Sequence, residues 1–152
     1  MVDVVDKQTR SRMMSGIRGT NTKPERVLRR ALHARGFRFL LHDKRLPGKP
    51  DIVLPKWRVV IEVRGCFWHR HHGCPKATMP ATRANFWQEK FNANVRRDEA
   101  NADSLLAAGW RVLIVWECAL ARGLPEPVMH DVTTFVIGGV HHEVRYREIG
   151  SV

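Results

Sequence analysis

The chain has 152 residues, 43% of them hydrophobic, which suits one domain with a buried core and excludes a wholly disordered polymer. Its longest aliphatic and aromatic runs are about five residues, far short of the roughly 20 that a membrane-spanning helix needs. Against 15 acids stand 26 Lys and Arg, a net charge of +11. Residues 1–50 hold 13 basic and 4 acidic side chains, residues 51–100 hold 9 and 5, and residues 101–152 hold 4 and 6. The excess lies in the first two thirds, as expected of a face opposed to phosphates rather than to a membrane. Asp3 and Asp6 stand where a secretory signal would be basic and apolar, so a cytoplasmic protein is predicted.

Residues 7–18 read as a short basic helix carrying Arg10, Arg12, Met13 and Met14. After a break at Gly19, Thr22-Lys-Pro-Glu25 matches a capping box, with Thr22 as N-cap. Behind it, Val27, Leu28, Ala31 and Leu32 share one helical face, and the helix stops near Gly36. Residues 37–41 predict a strand. Leu46-Pro-Gly-Lys-Pro-Asp51 is a turn-rich lead into Ile52-Val-Leu54, and Pro55-Lys56 turns the chain into a second strand from Arg58 to Val63. Residues 51–63 therefore read as a hairpin.

Residues 65–80 are dense in Cys, His, Gly and Pro and should be irregular. A long helix is predicted from Arg83 to Ala108, with Trp87, Phe91, Val95, Ala102, Leu105 and Leu106 spaced by three and four. Gly109 ends it, and 110–116 is a buried strand. Trp57, Trp110 and Trp116 are expected in the core. Beyond 125 the pattern weakens to a short helix and an extended piece at 141–147. The expectation is a single α/β domain over 1–152, a mixed β-sheet flanked by helices. Its basic helix lies within 1–20, and the tail at 123–152 has no assigned role.

Cys66-Phe-Trp-His-Arg-His71-His-Gly-Cys74 offers two thiols and three imidazoles within nine residues, and Cys118 follows the buried strand. Three cysteines do not make a disulfide framework in a reducing compartment. Cys66, His71, Cys74 and Cys118 would instead form a closed Cys3His zinc sphere, clipping the loop to the strand end. His72 competes with His71 for the nitrogen position.

Asp51 and Glu62 are the only carboxylates between Asp43 and Glu89. They open and nearly close the hairpin, and Arg64 shares a strand face with Glu62. Two carboxylates and a backbone carbonyl collect Mg²⁺, and a neighbouring cation can handle a phosphate. The bland alternative is a Glu62–Arg64 salt bridge. Glu25 is likewise divided between its capping box and a site role.

Arg10-Ser-Arg-Met-Met-Ser15, Thr22-Lys-Pro-Glu25, Leu46-Pro-Gly-Lys-Pro-Asp51, Gly65-Cys-Phe-Trp-His69, Phe86-Trp87, Asn94-Val-Arg-Arg-Asp98 and Gly109-Trp-Arg-Val-Leu-Ile-Val-Trp-Glu-Cys118 occur in order. Over roughly residues 5–122 this set resembles the very-short-patch repair (Vsr) DNA mismatch endonucleases, a branch of the PD-(D/E)xK restriction-endonuclease-like nucleases. The resemblance implies a restriction-endonuclease-like fold with a structural zinc site. It also implies a strand-nicking endonuclease acting next to the thymine of a T·G mismatch, the lesion left by deaminated 5-methylcytosine. The implied partner is mismatched double-stranded DNA, bound by a monomer that works beside other mismatch-repair proteins.

By the same resemblance, Asp51 holds Mg²⁺ with the main-chain carbonyl of Val63. His69 transfers a proton near the scissile phosphate, and Glu25 sits close by. Phe67, Trp68 and Trp87 wedge beside the mismatch, while Lys90 and Asn94 read it. Arg10, Arg12 and Met14 belong to the segment that reaches the other groove. Three features depart from the family pattern: Arg64 where a histidine is expected, an acid at Glu62, and an extra Gly73 in the zinc loop. The first two move the site toward the commoner PD-(D/E)xK form, with Glu62 as a direct metal ligand. The alternatives are a restriction or mobile-element nuclease on this fold, and a non-catalytic zinc-stabilised DNA-binding module. Acids beside phosphates weigh against the last.

Overall fold

The computed structural model describes residues 20–138 and 144–151. The basic helix expected over 7–18, with Arg10, Arg12, Met13 and Met14, lies outside the described residues. Among those described, the elements run α1 (Lys23–Ala34), β1 (Leu40–Leu41), β2 (Ile52–Leu54), β3 (Val59–Arg64), α2 (Ala84–Ala107), β4 (Arg111–Trp116), α3 (Glu126–Ile137) and β5 (Tyr146–Ile149). The five strands form one mixed sheet in the order β1-β2-β3-β4-β5. β1, β2 and β3 pair antiparallel, whereas β3–β4 and β4–β5 are parallel.

Both sheet faces are covered, so the central strands are nearly continuous apolar runs. Ile52, Leu54, Val59, Ile61, Leu113 and Val115 point to one face, where α1 packs with Leu28 and Leu32, and α3 with Met129, Val132, Phe135 and Val136. Val53, Val60, Val112, Ile114 and Trp116 point to the other, against Leu105 of α2. Each fully buried Leu or Ile here contributes about 1.5–3 kcal/mol relative to exposure. The long connection through α2 lets β3 and β4 run parallel.

Most predicted elements are present, with three departures. The strand expected over 37–41 shrinks to Leu40–Leu41, because Phe37 and Phe39 turn into the core while Leu40 and Leu41 stay exposed at the sheet edge. The weakly patterned tail supplies a full helix and an edge strand, both contributing buried side chains. The capping box is half formed. Thr22 Oγ1 accepts the Glu25 N–H at 3.4 Å, but the Glu25 carboxylate turns away to other partners.

Neither α2 nor α3 has a basic residue in its last turn. Arginines from elsewhere cap their terminal carbonyls instead. Arg111 donates to Phe135 O and Val136 O, and Arg58 donates to Ala108 O. Trp116 is buried as expected, and Trp57 and Trp110 pack partly buried against the two cores.

Candidate active site and metal centres

Asp51 enters β2, and Glu62, Val63 and Arg64 end β3 beside it. Together with His69 and Asp98 they line an open cleft of about 670 Å³. The turn that borders the cleft needs Gly48: its φ is +75°, and a Cβ there would meet the Asn101 side chain at 2.8 Å.

Asp51 Oδ2 accepts the Val63 N–H at 2.8 Å. A strand residue presents its N–H and C=O to the same neighbour, so the Val63 carbonyl also faces Asp51. Burial pushes the Asp51 carboxyl up to about 8, reinforced by the Glu25 and Glu62 carboxylates and opposed by the Val63 hydrogen bond. A cation would relieve this crowding, so the donors fit a divalent metal.

Glu62 is differently engaged. Its Oε2 accepts from Arg64 Nε at 3.2 Å and from a terminal nitrogen at 2.8 Å, both side chains being largely buried. Burial opposes the Arg64 charge, but Glu62 and Asp98 outweigh it and hold the guanidinium above its ordinary pKa. The carboxylate grouped with Asp51 is Glu25, joined by His42. One donor atom of each lies within 4.8 Å of the others. His42 carries no sequence signal, since a lone histidine after a short strand is ordinary.

His69 Nδ1 lies 2.6 Å from Asp98 Oδ2. That contact favours the tautomer with its proton on Nδ1 and leaves Nε2 as the proton acceptor. Motif reading marked Asp98 only as part of Asn94–Asp98; the long helix brings it under His69.

Cys66, His71, Cys74 and Cys118 have ligand atoms within 4.8 Å of one another, near the edge of about 3.8 Å in a tetrahedral zinc–thiolate sphere. All three cysteines are free thiols. His71 is buried in this group and His72 is exposed, so the imidazole that stands with the thiols is that of His71. Burial pushes the Cys66 thiol up to about 12, the adjacent thiols adding to it, and burial lowers the His71 pKa. His71 also stacks on Trp116 at 4.3 Å. The tail closes over the cluster: the Ser151 N–H donates to Cys118 Sγ at 3.3 Å. A Cβ at Gly150 would meet the His71 ring at 2.7 Å, so no larger residue fits there without a shift.

Phe67, Trp68 and Trp87 stand together, with ring centroids 5.0–6.0 Å apart, over the buried Phe91. Arg70 pins this loop by donating to the carbonyls of Phe67, Ala77 and Thr78. Lys90 is exposed. Asn94 is buried instead, donating to Trp68 O at 3.1 Å and accepting from Arg97 at 3.0 Å. Its amide thus holds the aromatic loop.

Carboxylates grouped beside a His–Asp pair, in a chain of net charge +11, suit the class of metal-assisted phosphodiesterases that cut nucleic acid. The family model for the DNA mismatch endonuclease Vsr matches residues 2–76. The chain is 49% identical to the DNA mismatch endonuclease Vsr of Escherichia coli over 120 residues, covering 79% of this chain and 76% of that protein. It is 46% identical to the type II nicking enzyme V.XorIIP of Xanthomonas oryzae over 121 residues, 80% of this chain and 88% of the relative. Type II nicking enzyme V.NmeAIP of Neisseria meningitidis is 42% identical over 120 residues, 79% and 85% respectively. The chain belongs to the Vsr family of DNA mismatch endonucleases.

Proposed function

We propose that this DNA endonuclease nicks one strand of a duplex beside the thymine of a T·G mismatch, using Mg²⁺ at the Asp51 cleft and a structural zinc at the cysteine cluster. The observation that carries this reading is the juxtaposition of Asp51, Val63, Arg64 and the His69–Asp98 pair in one cleft. Asp51 and the Val63 carbonyl would hold the cation. Bound there, it supplies positive charge to the scissile phosphate, which the anionic substrate needs. His69 moves a proton at Nε2, held in place by Asp98. Arg64, paired with Glu62, adds a fixed cation for the developing charge. Phe67, Trp68 and Trp87 insert beside the mismatch and unstack it, and Lys90 contacts the exposed bases. The chain works as a monomer on mismatched duplex DNA. Nicking measured mismatch by mismatch on otherwise identical duplexes, with and without Mg²⁺, tests the reading. Equal cutting of T·G and fully paired duplex would overturn the specificity.

His69→Ala is expected to slow nicking by on the order of 10²–10⁴-fold, as for loss of a positioned proton-transfer group. Asp98→Asn should fall between His69→Ala and the unaltered enzyme, since the ring remains but loses its orientation. Single-turnover rates distinguish the two. DNA binding should also be steeply salt-dependent. With about six to ten phosphates contacted, raising salt from 50 to 200 mM should weaken it about 10³–10⁵-fold in a titration.

A further inference from the structure

We infer that the end of the sheet opposite the cleft is a second duplex-binding site, where Lys56, Arg58 and Arg145 hold phosphates of a separate DNA segment. The inference rests on the reading of the Asp51 cleft as the first DNA site, and it needs neither a mismatch nor a metal. Lys56, Arg58, Arg111 and Arg145 line an open pocket of about 440 Å³ that has no carboxylate in its lining. They arrive from separate places: the turn between β2 and β3, the start of β4 and the residue before β5. β3 and β4 are parallel, so both begin at this end and finish at the cleft end. The length of β3, Val59 to Arg64, puts about 16 Å between the two sites.

Structural duty does not use up these cations. Arg58 gives one terminal nitrogen to Ala108 O, and Arg145 gives one to Leu106 O and Trp110 O. The other N–H groups of these two exposed guanidiniums have no acceptor among the described residues, and neither has the Lys56 ammonium. Lys56 stands over the Trp57 ring at 5.0 Å and Arg58 over Trp110 at 4.5 Å. Gly109 lets Arg58 pass close to the backbone, since a Cβ there would meet its Nη2 at 3.2 Å. Heads held in this way lose little freedom when they take a ligand. Arg111 acts through its charge alone. It is buried and spends its terminal nitrogens on the carbonyls of Trp57, Phe135 and Val136. Burial lowers its pKa, as expected of a cation with no counter-charge beside it. None of the four forms an ion pair among the described residues. The C-terminal ends of α2 and α3 offset roughly half a charge each, which leaves about +3.

Charge of this kind calls for an anion, and the surroundings decide which. An acidic protein segment would need an apolar socket to anchor it. The aromatic faces here are taken, Trp57 between Lys56 and Phe37 and Trp110 beneath Arg58, and only Ile137 is left exposed. A phosphate backbone needs charge alone, and it is the polyanion on which this family acts. One duplex does not serve both ends of the sheet, because DNA is stiff over about 150 bp and the sites lie on opposite sides of a small domain. The phosphates therefore belong to a second segment. A chain that holds two segments passes from one to the other without first releasing the DNA, which speeds the search for rare sites.

The test uses the full chain without added Mg²⁺, mixed with an excess of a short, fully paired duplex, and sedimentation reads the composition of the complexes. One chain carrying two duplexes is expected, the second held with a Kd of about 10⁻⁴–10⁻⁶ M near physiological salt. Changing Lys56→Gln and Arg58→Gln together should weaken the second duplex about tenfold and leave the first bound as before. The log–log salt slope of the second duplex should fall by about 1.8, two contacts at about 0.9 each. Glutamine keeps an N–H for the Ala108 carbonyl, so the helix cap survives the change. Saturation at one duplex per chain, or two duplexes held only by two chains, would overturn the inference. So would a second duplex indifferent to the double change. Poly-glutamate bound at the pocket in place of any second duplex would also overturn it and assign the pocket to an acidic protein. The stoichiometry of the unaltered chain needs no variant, so a misfolded double variant does not shield the idea. One duplex bound and no second sinks this inference alone; no duplex bound at all sinks the reading of the cleft, and this inference with it.

Discussion

Asp51→Ala is expected to reduce nicking by at least about 10³-fold while DNA binding survives or tightens. A catalytic metal supplies several kcal/mol of charge stabilisation, at about 1.4 kcal/mol per tenfold in rate. Losing the carboxylate that faces the Val63 backbone would remove the anchor of the proposed cation. Binding should hold, because deleting a carboxylate next to phosphates also removes repulsion. Glu62→Ala is the informative partner. Since Arg64 already occupies the Glu62 carboxylate, the expected loss is about 10–100-fold, through a guanidinium released from its position. A loss as deep as that of Asp51→Ala would make Glu62 a metal ligand after all, as the Asp51…Glu62 spacing suggests. Single-turnover nicking, with binding measured separately on the same duplex, separates these outcomes.

What could be read from the residues follows the range of the interactions involved. The hairpin, the long helix and the buried β4 strand are local patterns, and they stand where periodicity places them. The cysteine cluster was legible because its residue types are rare and three of its four members share one short loop. The tail was opaque, since β5 carries only the apolar Ile149 into the core and is held by pairing to β4. His42 and Asp98 were missed for a related reason. Each acts through one side-chain contact, to Glu25 and to His69, across 17 and 29 residues that no local window spans. Asn94 shows how far spacing alone reaches: it puts the residue on a face with Trp87 and Lys90, and that face turns inward at its last member.

Removing the zinc proposed at the cysteine cluster is expected to unfold much of this molecule rather than merely loosen a loop. The Cys66–Cys74 segment has no helix or strand of its own, and its thiols and His71 group with Cys118 at the end of β4. Trp116, the last residue of β4, stacks on His71 and bonds Glu148 of β5 through its indole N–H at 2.8 Å. Ser151 binds Cys118 directly. One ion held there would fasten the loop, the central strand and the tail. Structural zinc contributes about 10–16 kcal/mol in small peptides, comparable with the roughly 5–15 kcal/mol of a whole domain. Even about 5 kcal/mol of net loss would lower Tm by about 10–20 °C at this chain length. Cys118→Ser should reproduce most of that shift, and His72→Ala, at an exposed position, should leave Tm unchanged. Elemental analysis should find one zinc per chain before chelation and none after. A protein that melts at the same temperature with and without zinc would show the thiols to be ordinary core residues. Loss of Tm in His72→Ala with none in His71→Ala would move the nitrogen ligand to the neighbouring histidine.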